Sequence, residues 1–476
     1  MHCECPNNAH AFSSPNCFIR KSFKRLPTKL ELTRFRKYAQ RMREVRYYLF
    51  LDSHLSSEVF LVLHRFAPSE PLLPNLKTLQ FSPVAAEFVP SILLLASPGT
   101  ANISIGFPAP NIPKALVAST IATFPTRCPT LRQIHLHSLP RDPMIAAAVS
   151  ELVLTTNRNT LRSFRVDSPL IEEAREVISK LPDLCTLTVV IERNAPLPSL
   201  VLPNLHKLVV IYDHDGDWLR MFHGATLEKL KSITFISESE QIGDFLGAFA
   251  RVAFAASIQD TLSKFRLYTS CSWNPTYSSL LPFAQLKKLV IKFSCIGGCT
   301  SSVDDNIIIS LARAMPKLKV LQLGDRPCRC IPTGVTAKGL VVLAHHCPNI
   351  LHLCIHFQVA SLSISPATTG MTPNPGSAAP RKGCALEELV AGGIPVPEQL
   401  VLIVALTLVR IFPCIEIIDY ADENWRKVTD AISISKQIVD CSGKDIVTLI
   451  YLEVTSVTPP RSWAREWWLI GKWYKG

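Results

Sequence analysis

YDHDGDW, Tyr212 to Trp218, sets Asp213, Asp215 and Asp217 at alternate positions, the opening of a calcium loop. An EF-hand loop needs glycine after the third acid and a bidentate glutamate at its twelfth position, and Trp218 and Gly224 stand there. A polar strand-to-helix turn with Asp217 near the N-cap accounts better for the same residues. Cys295 and Cys299, Cys328 and Cys330, and the run His345, His346, Cys347 offer metal-ligand side chains. Zinc sites favour two short, well-spaced ligand pairs, and these spacings are mixed. No metal and no cofactor is expected. G-x-S-x-G, H-E-x-x-H, Walker A and G-x-G-x-x-G elements are missing, so Ser, His and Asp are abundant but unplaced. The chain reads as a non-enzyme.

The second chemical signal is charge. Between Arg20 and Arg46 stand eleven Lys or Arg and two Glu, a surplus of nine within a net charge of +12. The other residues carry 39 basic against 36 acidic side chains, so a basic arm precedes a nearly neutral body. RKSFKR (Arg20 to Arg25) would suit nucleic acid, anionic lipid or a nuclear address. On the same stretch Leu32, Phe35, Ala39, Met42 and Val45 form an apolar helical face. That face predicts a cap on the first core layer, with the arginines reaching water. Four of the seven tryptophans (Trp463, Trp467, Trp468, Trp473) lie in RSWAREWWLIGKWYKG. Such a tail suits a contact site, a membrane interface or a poorly packed end outside the repeat, and the sequence leaves all three open.

The fifteen cysteines are odd in number and follow no regular framework, and Cys185 and Cys354 sit inside apolar phrases where a thiol acts as a small hydrophobe. MHCECPNNAHAF lacks the basic and apolar regions of a secretory signal. The longest apolar run, Leu400 to Val409, has ten residues, where a bilayer span needs about 20. An intracellular protein of cytoplasm or nucleus is expected, with that run as a buried helix.

The elements that must position these groups come from a repeat. An apolar residue and proline, then L-x-x-L-x-apolar, recurs from Leu73, Cys128, Leu181, Leu202, Met315, Cys347 and Phe412. Variants without that proline begin at Asn159, Leu227, Asp260, Ala284 and Cys384. The last two apolar residues of each phrase lie two apart and so share one side of a strand. Between phrases the period changes. SPLIEEAREVISKLP places Ile171, Ala174, Val177 and Ile178 on one helical face, and DNIIISLARAMP and AKGLVVLAHHCP behave alike. The proline then follows a helix that it cannot continue. Strand, turn, helix, turn at steps of 21 to 36 residues is a parallel α/β solenoid, in which stacked neighbours bury a face that one repeat cannot.

This pattern resembles the leucine-rich-repeat superfamily of the ribonuclease-inhibitor-like type. WLRMFHGATLEKLKSITFIS and the CPNI-type strand openings resemble, more narrowly, fungal F-box/leucine-rich-repeat proteins. The resemblance implies an α/β irregular solenoid, a horseshoe with a parallel concave sheet and outer helices. It also implies a substrate-selecting role in a ubiquitin ligase, through a cullin-ligase adaptor subunit. Before Leu73 only Leu26-Pro27 matches an F-box opening, and no F-box is recognisable. The expected organisation is a disordered 1–19, a basic helical cap over 20–72, a solenoid over 73–430 with a mobile loop at 361–383, and a Trp-rich tail over 431–476. SPGTANISIGFPAPNIPK (Ser97 to Lys114) is expected as an insertion between the first two strands.

Outward strand positions on the concave side are Gln80, His135, His137, Arg165, Thr188, Val209, Thr234, Arg266, Lys292, Gln322, Cys354 and His356, a set without an acid. Gln80, His135, His137, Arg165, Thr188, Arg266, Lys292, Gln322 and His356 are the expected contacts to a protein partner. The reading is a protein-binding scaffold, with association to nucleic acid or membrane through the basic N-terminal helix as the alternative.

Overall fold

The computed structural model describes residues 19–21, 25–48, 53–55, 57–65, 71–82, 86–107, 112–156, 160–192, 198–212, 218–237, 245–270, 276–294, 303–324, 334–363, 384–390, 396–419 and 423–442. They form two compact units, one of residues 1–238 and 252–261, the other of 239–251 and 262–476.

In the first unit β1 (Ile19–Lys21), α1 (Lys29–Ala39), β2 (Glu44–Tyr48), β3 (Ser53–Leu55) and α2 (Ser57–Arg65) precede the first phrase. Then come β4 (Thr78–Ser82), α3 (Val89–Leu95), β5 (Asn102–Gly106), α4 (Lys114–Arg127), β6 (Gln133–His137) and α5 (Pro143–Thr155). β7 (Ser163–Val166), α6 (Glu172–Ile178), β8 (Thr186–Ile191), β9 (Lys207–Tyr212) and β10 (Ser232–Ser237) follow. Among the described residues β1 pairs with β3 alone. β2 and β4 to β10 each pair in parallel with the next in chain order, the topology of a leucine-rich-repeat solenoid.

After α7 (Phe245–Ala255), the second unit repeats the arrangement. Its elements are β11 (Lys264–Ser270), β12 (Lys288–Ser294), α8 (Asp305–Ala314), β13 (Val320–Leu323), α9 (Ala337–His346) and β14 (His352–Ile355). β15 (Glu388–Val390), α10 (Val401–Ile411), β16 (Ile417–Asp419) and α11 (Glu423–Ser442) complete it. β11 to β16 also pair in parallel in chain order.

The recurrent phrase is a turn before it is a strand. Its first apolar carbonyl accepts from the N–H of the leucine three residues on: Leu73 to Leu76, Leu202 to Leu205, Met315 to Leu318 and Phe412 to Ile415, at 3.0–3.1 Å. Proline suits the second place of such a turn, because its fixed φ is already that of a type I or II turn. It also bars the residue before it from helical backbone. Cys128, Met315, Cys347 and Phe412 accordingly end their helices with ψ of 62 to 78°. Both turn residues are buried to 3% exposure or less in these repeats.

The next two N–H groups share one carbonyl of the preceding repeat. Lys77 and Thr78 donate to Arg43, His206 and Lys207 to Cys185, and Leu351 and His352 to Lys319. This doubled bond sets the register of each strand, so that Leu79 and Phe81, or Leu321 and Leu323, face the helices. Phe249 of α7 meets Phe265 of β11 at a tilt, 5.2 Å between ring centres, and stacks on Phe283 at 5.6 Å, which fixes the inner side. Asp305 on α8 accepts from the N–H groups of Thr336 and Gly339, tying the start of α9 to its neighbour. A Cβ at Gly339 would run into that carboxylate.

Several expectations change. The stretch read as an insertion contains β5, paired on both sides. Its turn is Ser97-Pro98-Gly99-Thr100, closed by the Thr100 N–H on the Ser97 carbonyl at 2.9 Å. Two hydroxyl residues, each 0% exposed, replace the apolar pair, and both hydroxyls reach the Leu76 carbonyl. The basic helix stops at Ala39. Ala39 is buried and Leu32 and Phe35 are half-buried, whereas Met42 is exposed and Val45 belongs to β2. Pairing in the sheet that contains β4 thus begins at Glu44, ahead of Leu73. α11 runs through position 430, where the tail was expected to start. Residues 1–18 and 443–476, and 364–383 of the expected loop, lie outside the described residues.

Candidate partner-binding face

Alternation along each strand sends one set of side chains to the helices and the other away from them. In the first unit register aligns the outward set as Arg46, Gln80, Ser104, His135, Arg165, Thr188, Val209 and Thr234. His137 lies two residues further along β6, and Val190, Ile211 and Ile236 make an apolar row beside it on β8 to β10. In the second unit Arg266, Val290, Gln322, Cys354 and Val390 align, with Tyr268 opposite Lys292 in the next row. His356 follows β14 beside Gly324, whose φ is +107°. The nine expected contacts are thus distributed between a face of each unit: Gln80, His135, His137, Arg165 and Thr188 on one, Arg266, Lys292, Gln322 and His356 on the other.

The face is denser and more mixed than the expectation of solvated, acid-free positions. Thr234 and Cys354 are only 5% and 9% exposed, because side chains on neighbouring strands, about 4.8 Å apart, shade one another. Acids occur one row away. Glu44 meets Arg46 at 2.7 Å, and Glu388 meets His352 Nδ1 at 2.7 Å. Lys264 and Lys288 join Arg266 and Lys292 on the outward side of β11 and β12. They open their strands, where the repeat's pattern of apolar residues does not extend, and an apolar-centred reading passes over them.

Two serine–histidine pairs raise the question of catalysis. His135 Nε2 lies 2.9 Å from Ser163 Oγ, and His137 Nε2 lies 3.1 Å from Ser82 Oγ. Burial first, then Arg165, His137 and Lys207, push the His135 imidazole down to about 4, far from a base poised near neutrality. The charges acting on it are all cationic, and a triad needs a carboxylate to orient and stabilise the imidazolium. His137 spans a strand to reach Ser82, passing over Gly106, where a Cβ would lie 2.5 Å from its Nε2. These pairs are cross-strand ties.

Among the described residues no group of three or more His, Cys, Asp or Glu is placed to hold a metal. Cys347 is buried, its thiol pushed up to about 12 chiefly by that burial, and its Sγ lies 3.5 Å from the Met315 carbonyl. Burial raises Cys128 to about 11 and raises Cys384 too, so these sulfurs are neutral core groups rather than thiolate ligands. The His345 and His346 rings meet edge to face at 4.9 Å. Asp213, Asp215 and Asp217, Cys295, Cys299, Cys328 and Cys330, and the four C-terminal tryptophans lie outside the described residues. No described helix is long and apolar enough to cross a membrane.

No family model matches the chain, and no curated protein matches it. Among solved structures it is similar to an internalin from Listeria monocytogenes, at 12% identity and a TM-score of 0.30, over 60% of this chain and 77% of that one. The strand order and register of the chain itself define its parallel solenoid.

Proposed function

We propose that this chain is a non-enzymatic scaffold that holds a protein partner on the outward sheet faces. The observation that carries the reading is the alignment of Gln80, His135, Arg165 and Thr188 in one row, and of Arg266 and Gln322 in another, by an unbroken parallel register within each unit. Stacked repeats make such faces broad, and protein recognition is their common use. A photo-crosslinking amino acid placed at Thr188 or Gln322 of the intact chain tests it. A discrete polypeptide adduct is expected at either position, and not from exposed Glu172 on α6. Equal yields from all three positions would overturn the reading.

The finer reading is the substrate-recognition part of an F-box-type ubiquitin-ligase adaptor, working inside the cell. Its support is local. α1 follows Leu26-Pro27 and leaves Leu30 and Tyr38 63% and 64% exposed, apolar surface for a second protein on the segment where an adaptor would dock. Truncation before Leu73 would also remove β2 from the sheet, so the cleaner variant is Leu30→Asp/Tyr38→Asp. Co-purification of a cullin-ligase adaptor subunit with the parent and its loss from the variant is the expected result; recovery from neither form would sink it. The same exposed residues stand among Lys29, Arg34 and Lys37, which favours anionic lipid or nucleic acid as the second reading. Binding through α1 that collapses with added salt would select that one.

A further inference from the structure

β11 and β12 carry Lys264, Arg266, Lys288 and Lys292 on one outward face, with Lys264 paired to Lys288 and Tyr268 to Lys292. Residues 261–303 contain five Lys or Arg and no Asp or Glu, so neither strand nor the chain following it supplies a carboxylate. On the other side of β12 the outward positions of β13 are Val320 and Gln322, also without charge. Glu388 lies further along the unit on β15 and is engaged by His352. Lys292 Nζ lies 6.0 Å from the centre of the Tyr268 ring. Among the described residues none of the four has an acidic partner. Partial burial first, then the neighbouring charges of Arg266, Lys264 and Lys292, lower the pKa of Lys288. Cations held this way on a sheet weaken the free protein. They gain when an anion joins them.

We propose that the β11–β12 face binds an acidic, extended segment of the partner protein. The claim rests on the scaffold reading above and adds the partner's chemistry. Lys264 and Arg266 are two residues apart on one strand, about 6.6 Å. An extended peptide with carboxylates at every second residue has the same spacing, and the second column at Lys288 and Lys292 flanks it. Tyr268 supplies a flat apolar wall under the Lys292 end.

The test is fluorescence anisotropy with the full chain and a labelled decapeptide of alternating Glu and Ser. The comparison probes are a Gln/Ser peptide and a single-stranded oligothymidylate of equal charge. The acidic peptide is expected to bind the parent and to weaken by about tenfold or more on Lys264→Gln/Arg266→Gln/Lys288→Gln/Lys292→Gln. It should be unaffected by Lys29→Gln/Arg34→Gln/Lys37→Gln on α1. The β11–β12 variant should keep or raise its Tm, since it removes repulsion. Lys264→Glu/Lys288→Glu provides a gain of function, turning preference toward a Lys/Ser peptide. Undiminished acidic-peptide binding by the quadruple variant overturns the proposal, as does tighter binding of the oligothymidylate through the same four residues. If the acidic peptide fails while crosslinking from Gln322 continues in the quadruple variant, the scaffold reading stands and its acidic chemistry falls.

Discussion

His135 joins a hydrogen bond, a local field and an effect of pH. Its imidazole is held at about 4 by burial and by three cationic neighbours, whereas an unfolded histidine titrates near 6.5. Between those values the unfolded chain takes a proton that the native state refuses. Stability is therefore fully present above about pH 6.5, declines as pH falls through the window, and levels off below about 4. His135→Gln keeps a partner for Ser163 Oγ and removes the titration. Denaturant midpoints at pH 7 and pH 4.5 should converge for the variant relative to the parent, and equal shifts in both would count against the argument. His137 depends on a neighbour rather than a charge. Gly106→Ala puts a methyl where its ring lies, so the Ser82 bond is lost, at about 0.5–1.5 kcal/mol. A His137 ring proton signal unchanged in the variant would show that the seat is not needed. Both histidines were legible in the sequence as outward positions. Gly106 was not, because its role depends on a residue of the next strand, 31 positions away.

At the scale of the element, every phrase found by its leucines became a strand, since one pattern encodes the turn, the core pair and the strand entry together. What escaped were elements with other residues in those places. β5 is entered by Ser97 and Thr100, which spend their hydroxyls on the Leu76 carbonyl where leucines would fill space, and β2 precedes any phrase. The outer elements follow repeat length. The step from Leu184 to Leu205 is 21 residues and carries no described helix, while the 32-residue step from Leu286 to Leu318 holds α8. Turn chemistry can be tested at both kinds of repeat. Leu318→Ala empties a fully buried site and should cost about 2–5 kcal/mol. Thr100→Val keeps the shape but strips the acceptor for the Ser97 N–H, at about 1–3 kcal/mol in chemical denaturation. A neutral Thr100→Val would mean the hydroxyl pair only fills space.

Within each unit, the doubled hydrogen bond that opens strands such as β4, β9 and β14 reaches one repeat back. Stability in such a chain is a sum over neighbouring interfaces, so a local defect should stay local. Leu353 on β14 is 0% exposed, and β14 is bonded to β13 and β15. In Leu353→Ala, native-state hydrogen exchange should quicken at amides of β13, β14 and β15, while β5, β6 and β7 keep the protection of the parent. Uniform acceleration along the whole chain would mean that it opens as one cooperative body and that nearest-neighbour accounting does not describe it. Local failure has a functional counterpart. β13 separates β14 from the cations of β11 and β12, so the Leu353→Ala lesion stops short of the proposed acidic site, whereas one at fully buried Leu321 on β13 lies next to it. Acidic-peptide binding should therefore survive Leu353→Ala and weaken in Leu321→Ala, and a lesion of the same kind at Ile134 on β6 should leave it untouched.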